Sequence, residues 1–295
     1  MRRALILPVT AIAGGAAGFF LRRLELATAF EPDTGLPSPD MPVTWALLAL
    51  SAAVAVLLLL LSLGAGRGME GGYDQAFQAR DNLPYMMGMT AGAFLTAGGG
   101  ALLLLQLPRR YVETSSASGL SLLSLAPMAL LAALCLAAAG SMLLLGKNTY
   151  RGEGRGKYSA CLLLPAYACC LWLIVSYQEH SGDPVILDYV YQLFAVIAAV
   201  LGTYFTAGFA FERAKVFRAS FFSLLGVYFC LVTLADRHDV SMLLLFVAFA
   251  LYLLATTVLL QYNAARPEGP RMPRRLQPED TRKTEINREG TPDEG

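Results

Sequence analysis

The residues whose types could do chemistry are clustered in two polar stretches, each lying between long apolar runs. The first is SYQEHSGDPVILDY at 176–189 and the second is DRHDV at 236–240, and each holds one of the chain's two histidines. Imidazoles together with carboxylates can bind a divalent metal or serve as general acid and base. The candidate residues for a ligand-binding mouth are Glu179, His180, Asp183, Asp188, Arg237, His238 and Asp239.

The spacing of these residues matches no established catalytic or metal-binding motif. Neither stretch has the H-E-x-x-H pattern, and the chain holds no G-x-S-x-G, S-x-x-K or Walker loop. The cysteines include no C-x-x-C pair. We therefore predict no catalytic residue, no metal and no cofactor, and a protein that is not an enzyme. Two alternatives stay open: a membrane-embedded enzyme that uses these His, Asp and Glu residues, and plain turns, since Ser, Gly, Asp and Pro favour turns.

The composition indicates that lipid is the solvent of this chain. Of 295 residues, 56% are hydrophobic and only 15% are charged, with a mean hydropathy of +0.51. Soluble domains are about 45–50% apolar and about 25% charged. The formal net charge is +1, so nothing points to nucleic acid as a partner.

The apolar residues form long runs with almost no charged residues, of the length that spans a bilayer as a helix. Pro108, directly after the third run, is expected to stop that helix, and Pro165 is expected to kink the fifth. A cleaved signal peptide is the alternative for the first run, but its apolar core before Ala11 is short. The predicted spans are Ala4–Leu21, Val43–Gly66, Pro84–Leu107, Leu120–Gly146, Tyr158–Tyr177, Pro184–Phe211, Ala219–Ala235 and Val240–Leu260.

The distribution of basic residues predicts which way the chain crosses the membrane. With eight spans both termini lie on one side, and that side carries 18 of the 23 Lys and Arg residues. Cytoplasmic loops are enriched in Lys and Arg. We therefore predict that both termini are cytoplasmic and that the two polar stretches face outward.

Small residues recur along several spans at helical spacing. Gly88, Gly92, Thr96 and Gly100 form a small-xxx-small row, which we predict as the surface for a membrane protein partner or a second copy of the chain. Similar stripes run from Asp188 to Thr206 and from Ala219 to Arg237. If these two stripes face each other, Asp188 and Arg237 meet in an ion pair; the alternative is that both reach interfacial water.

The change in composition near residue 261 predicts how the chain is divided into domains. Residues 1–261 are expected to form an all-α domain of eight transmembrane helices. Residues 262–295, which are polar and rich in proline, are expected to form a disordered cytoplasmic tail.

The pattern of Trp172, Leu173, Tyr177, Asp183 and Pro184 resembles a group of uncharacterised multispan membrane proteins of anaerobic Gram-positive bacteria. That resemblance implies a bacterial plasma membrane and carries no activity.

The functional prediction follows from these features together. We expect a polytopic integral membrane protein that acts as a non-enzymatic transport or sensing component, with an outward-facing polar mouth that binds a ligand. Besides the enzyme alternative, a structural subunit that packs against a membrane partner stays open. Residues near the middle of the spans are uncharged, which argues against a transporter driven by intramembrane carboxylates.

Overall fold

A computed structural model describes residues 2–31, 36–38, 40–63, 72–118, 125–154, 156–182, 185–211 and 213–265. In these ranges the chain is helical, and eight helices are long and apolar enough to cross a membrane, as predicted. The α-helices are α1 (Arg2–Thr28), α2 (Pro42–Leu63), α3 (Tyr73–Ala76), α4 (Leu83–Ser118), α5 (Ala126–Arg151), α6 (Leu164–Glu179), α7 (Ile186–Gly208), α8 (Val216–Thr233) and α9 (Val240–Ala264).

The two prolines expected to disturb helices act differently from the prediction. Helix α4 continues through Pro108 to Ser118, so the predicted stop is wrong. A proline removes only one backbone hydrogen bond, and helices in membranes tolerate that loss where neighbouring groups compensate for it. Pro165 does not kink a long helix; it lies in the first turn of α6, directly after the 3₁₀ helix Ser159–Leu163. A first turn has no need of the missing N–H.

The glycine row of α4 packs within the chain. A Cβ added at Gly88 would lie 2.9 Å from Ala255, and one at Gly92 would lie 3.3 Å from the carbonyl oxygen of Ala248, both in α9. At Gly100 the added Cβ would meet α5 instead. Thr96, between them, is fully buried. Small residues let helices approach closely, and at these three glycines the helices that approach are the chain's own. The membrane partner or second copy expected at this row stays a prediction.

The small-residue stripes of α7 and α8 face each other, which is the condition on which the predicted Asp188–Arg237 ion pair depended. A Cβ added at Gly202 would lie 3.0 Å from the Cα of Ser223, and one at Gly226 would lie 3.4 Å from the backbone of Ala199. Gly202, Ser223 and Gly226 are buried. The two helices are therefore in close backbone contact at 199–202 of α7 and 223–226 of α8.

Helix α1 packs on α8 through glycines of its own. Gly14 and Gly18, one turn apart, both lie against the ring of Tyr228, and an added Cβ at Gly18 would lie 2.6 Å from Val232. The Tyr228 hydroxyl is 2.8 Å from Oγ of Ser51 in α2. At these glycines α1 thus lies close to α8. The C-terminal turns of α1 that follow are polar, and they place Arg22 at the C-terminal end of α8.

The two ends of the helix bundle are formed by different structural elements. The end that holds the α6–α7 and α8–α9 turns is called the hairpin end. At the opposite end, called the α3 end, the short helix α3 packs between α9 and the 3₁₀ helix Phe209–Phe211. The predicted domain boundary at residue 261 falls inside α9, which continues to Ala264, so the first residues of the predicted tail are helical. The rest of that tail, 266–295, lies outside the described residues.

Candidate functional site

A buried ionic cluster at the hairpin end joins the C-terminal part of α1 to the α8–α9 turn. Arg22, at 0% exposure, donates from Nε to Asp236 over 2.6 Å, from Nη1 to Glu25 over 2.8 Å and from Nη2 to the backbone oxygen of Asp188 over 2.8 Å. Its guanidinium also lies 5.1 Å from the centre of the Tyr191 ring. Arg22 is thereby in contact with α7 and with the α8–α9 turn at once.

The same cluster includes a histidine. The Thr233 hydroxyl donates to Asp236 over 2.8 Å, and Nε2 of His238 donates to the Thr233 carbonyl over 2.9 Å. Nε2 of His238 lies 4.0 Å from the carboxylate of Asp236, and both side chains are 7% exposed. We call Arg22, Glu25, Thr233, Asp236 and His238 the Arg22 cluster.

The charges of the Arg22 cluster do not balance. Two carboxylates face one guanidinium, and Oε1 of the fully buried Glu25 has no hydrogen-bond partner among the described residues. A buried carboxylate oxygen without a partner is costly. With His238 neutral, the cluster carries one excess negative charge, which an added proton would neutralise.

Burial sets the protonation preferences of the two titratable groups in the α8–α9 turn. Desolvation raises the pKa of Asp236, while Arg22 and Thr233 draw it down again. Desolvation lowers the pKa of His238, while Asp236 raises it. His180 is near enough that its charge also lowers the pKa of His238. The two histidines of the chain therefore share one electrostatic environment.

The shift at His238 predicts the sign of a pH effect. Its folded pKa lies below the unfolded value of about 6.5, so the stability from neutral His238 is present above that value and is lost as the pH falls through it. Replacing His238 with glutamine removes this contribution. We expect the difference in unfolding free energy between wild type and H238Q to decrease from pH 7.5 to pH 5.5, measured by thermal unfolding in detergent; an increase would contradict the shift.

A second, more exposed ion network lies beside the first. Arg110 of α4 is 2.6 Å from the Glu179 carboxylate at the end of α6 and 3.2 Å from that of Asp239, which precedes α9. The Arg110 side chain is 32% exposed, so solvent screens these pairs and each contributes about 0–1 kcal/mol. Together the two networks connect α1, α4, α6 and α7 to the α8–α9 turn, through Asp236 and Asp239.

The structure brings some of the predicted site residues together and separates others. Glu179 and Asp239 share Arg110, and His238 lies in the Arg22 cluster. His180 stacks on Tyr189 at 4.6 Å and donates from Nδ1 to the Ser176 carbonyl. Asp183 lies outside the described residues.

The hypothesis of an ion pair between Asp188 and Arg237 is wrong. Both residues are exposed, and only the backbone oxygen of Asp188 takes part in the site. Helix α8 ends at Thr233, so the helical spacing that would bring Arg237 onto the stripe no longer holds beyond that residue. The acidic neighbour Asp236 turns inward in its place and pairs with Arg22.

Sequence reasoning missed Arg22, Glu25 and Arg110, because each was treated only as a loop charge that reports orientation. A signal for the first two was present. The four-residue spacing of Gly14 and Gly18 continues to Arg22, and Glu25 follows three residues later, so all four lie on one face of a helix. No comparable signal identifies Arg110.

Neither a metal-binding arrangement nor a similarity to known proteins assigns a function to the candidate site. Within the described residues, no group of three or more His, Cys, Asp or Glu side chains is arranged to hold a metal ion. No protein-family model, curated protein or solved structure matches the chain. The candidate site therefore has to be interpreted from its own geometry.

Proposed function

We propose that this polytopic membrane protein is a non-enzymatic sensing component that responds to protons at its hairpin end. The observation that carries the proposal is the charge imbalance of the Arg22 cluster, in which two buried carboxylates share one guanidinium. Three groups face the carboxylate pair from the surrounding elements and set its response: Arg22, Tyr191 and His238. His180 acts on this pair through its effect on His238.

The location of the cluster suggests how protonation would be transmitted. The guanidinium of Arg22 holds α1, α7 and the α8–α9 turn through hydrogen bonds to Glu25, Asp188 and Asp236. Neutralising one carboxylate weakens its bond to Arg22, because the Coulomb attraction between the two opposite charges is lost. The expected response is a change in the packing of α1 against the end of α8.

Sensing is favoured over transport and over catalysis by where the charges lie and how they are used. In the described parts of the spans, charged side chains lie near the helix ends, which gives no intramembrane path for an ion. His238 uses Nε2 to bind Thr233, which leaves that nitrogen less free for proton transfer to a substrate. Of the residues predicted as an outward mouth, His238 belongs to the Arg22 cluster in this proposal. The rim of the sensor consists of Glu179, His180, Asp188, Arg237 and Asp239.

The orientation and location are part of the same proposal. The excess of Lys and Arg on the side of the termini supports cytoplasmic ends and an outward hairpin end. A bacterial plasma membrane, implied by the local resemblance around Trp172, would expose the Arg22 cluster to extracellular pH.

Replacing Glu25 with glutamine tests the imbalance directly. The variant keeps the shape but leaves Arg22 and Asp236 as a balanced pair, so we expect a higher melting temperature than wild type at pH 7.5. The gap should shrink as the pH falls, because the raised pKa of Asp236 lets wild type take up the neutralising proton. His238 is present in both proteins, so its own titration largely cancels in the comparison.

The matched control is E179Q, which alters the other Glu–Arg pair of the hairpin end. Glu179 is 25% exposed, so its replacement should change the melting temperature little at any pH. If E25Q melts below wild type at pH 7.5 by an amount that does not vary with pH, the excess charge is not relieved by a proton and the proposal fails.

A further inference from the structure

Four buried hydroxyl side chains lie at the α3 end, opposite the Arg22 cluster. Tyr73 begins α3, Tyr85 lies in the first turn of α4 and Thr149 in the last turn of α5, while Tyr252 belongs to α9. Each is only 2–4% exposed. The packing of α4 against α5 sets their register, since Gly146 lies against Met89 and the backbone of Asp81 donates to the carbonyl of Tyr150.

Helix α3 covers this cluster and is held in place by its neighbours. The ring of Tyr73 stacks on Phe77 at 4.7 Å, and Phe77 packs edge-on against Phe209 at 5.4 Å. The side-chain amide of Asn263, near the end of α9, donates to the carbonyls of Ala76 and Gln78 over 2.9 and 3.0 Å. These contacts close the α3 end over the hydroxyl groups.

The hydroxyls are neighbours, yet two of them make no direct hydrogen bond. Tyr85 OH and Thr149 Oγ1 are buried and have no partner among the described residues. Burial raises the pKa of Tyr73 to about 12, and the hydroxyls of Thr149 and Tyr85 are near enough to lower it. Buried hydroxyls are nearly always hydrogen-bonded, by protein or by a bound molecule. Two in one cluster at the junction of α3, α4 and α5 therefore point to a ligand.

We propose that Tyr73, Tyr85 and Thr149 form a binding site for a small neutral molecule that donates and accepts hydrogen bonds, enclosed by α3. The groups named are hydroxyls, each able to donate and to accept. The charged neighbour of Tyr73 is Asp74, exposed on the outer side of α3. A charged occupant would lack a counter-ion at this depth. Water and small polyols share the required chemistry.

The sign of a stability change tests this site. In an occupied site, Tyr85→Phe and Thr149→Val each remove a hydrogen bond, and we expect each to lower the melting temperature in detergent by about 2–4 °C. In a site without an occupant, the same changes remove an unsatisfied hydroxyl and leave the melting temperature equal or higher. That second result, seen in both variants, overturns the proposal.

Two control variants match these changes. Tyr204→Phe alters a tyrosine that is 51% exposed on α7, and Thr203→Val alters a buried threonine that already donates to the Ala199 carbonyl of its own helix. Because neither hydroxyl depends on a bound molecule, both controls should shift the melting temperature less than the site variants.

A glycerol titration identifies the source of the occupant. If a polyol binds, the melting temperature of wild type should rise with glycerol more steeply than that of Y85F. If water is the occupant, the gap between the two proteins should be present without glycerol and should stay constant. Either pattern supports the site, and its failure would leave the proton response at the hairpin end untouched, since Glu25 is unchanged in these proteins.

Discussion

Replacing Arg22 with methionine is expected to destabilise the protein by about 3–5 kcal/mol, the usual cost of removing one partner from a buried ion pair. Methionine keeps much of the side-chain volume but leaves Glu25 and Asp236 buried, both negative and without a counter-charge. The backbone oxygen of Asp188 also loses its donor. The free energy of unfolding in detergent, from denaturant titration, measures this loss.

The control for R22M is R110M, which removes the other arginine of the hairpin end. Arg110 is 32% exposed, so its loss should cost about 0–1 kcal/mol. Neutralising the stranded carboxylates, in the triple variant R22M/E25Q/D236N, should restore a large part of the lost stability. Equal effects of R22M and R110M, or no rescue in the triple variant, would show that the Arg22 cluster is not a strong buried network.

The second large effect is expected at the contact between α7 and α8. Replacing Gly202 with valine places a branched side chain where even a Cβ would lie 2.9 Å from Oγ and 3.0 Å from Cα of Ser223. Backbone cannot yield as a flexible side chain does, so the helices must separate, at a cost of about 3 kcal/mol, the upper end of the range for overpacking. Thermal unfolding of the purified variant would show the loss.

Gly140 provides a matched control for this substitution. It lies within α5, and an added Cβ there would meet nothing within 4 Å. G140V should therefore leave the melting temperature almost unchanged. The additional change Ser223→Gly should restore part of the stability of G202V, because it removes the nearest side-chain atom. A G202V protein as stable as G140V would contradict the close α7–α8 contact.

The fold was predictable from sequence because each span carries its own signal. Eight apolar runs predicted eight helices, and helical spacing identified the small-residue stripes of α7 and α8 to which Gly202 and Ser223 belong. These are local patterns, which hydrophobic periodicity and side-chain size express directly. Helix α3 escaped the prediction because four residues are too few for any periodicity.

The candidate site was predictable only in its location. The two polar turns marked the hairpin end, but the choice of charge partner depends on tertiary packing. Arg22 and Asp236 are separated by 214 positions in the chain, and no local pattern connects them. The prediction chose Arg237 over Asp236 because it extended helical spacing beyond Thr233, where the helix ends. An error of a few residues in a helix boundary was enough to select the wrong partner.

The long separation of Arg22 from Asp236 has a consequence for how the protein is made. At about 5–20 residues per second, a ribosome needs on the order of 10–40 seconds to synthesise the 214 positions between them. Throughout that interval α1 must reside in the bilayer without its final partner. Glu25, three residues away on the same helix, is a carboxylate already at hand. The surplus acid of the finished protein thus gives Arg22 a counter-ion within α1 before α8 is inserted.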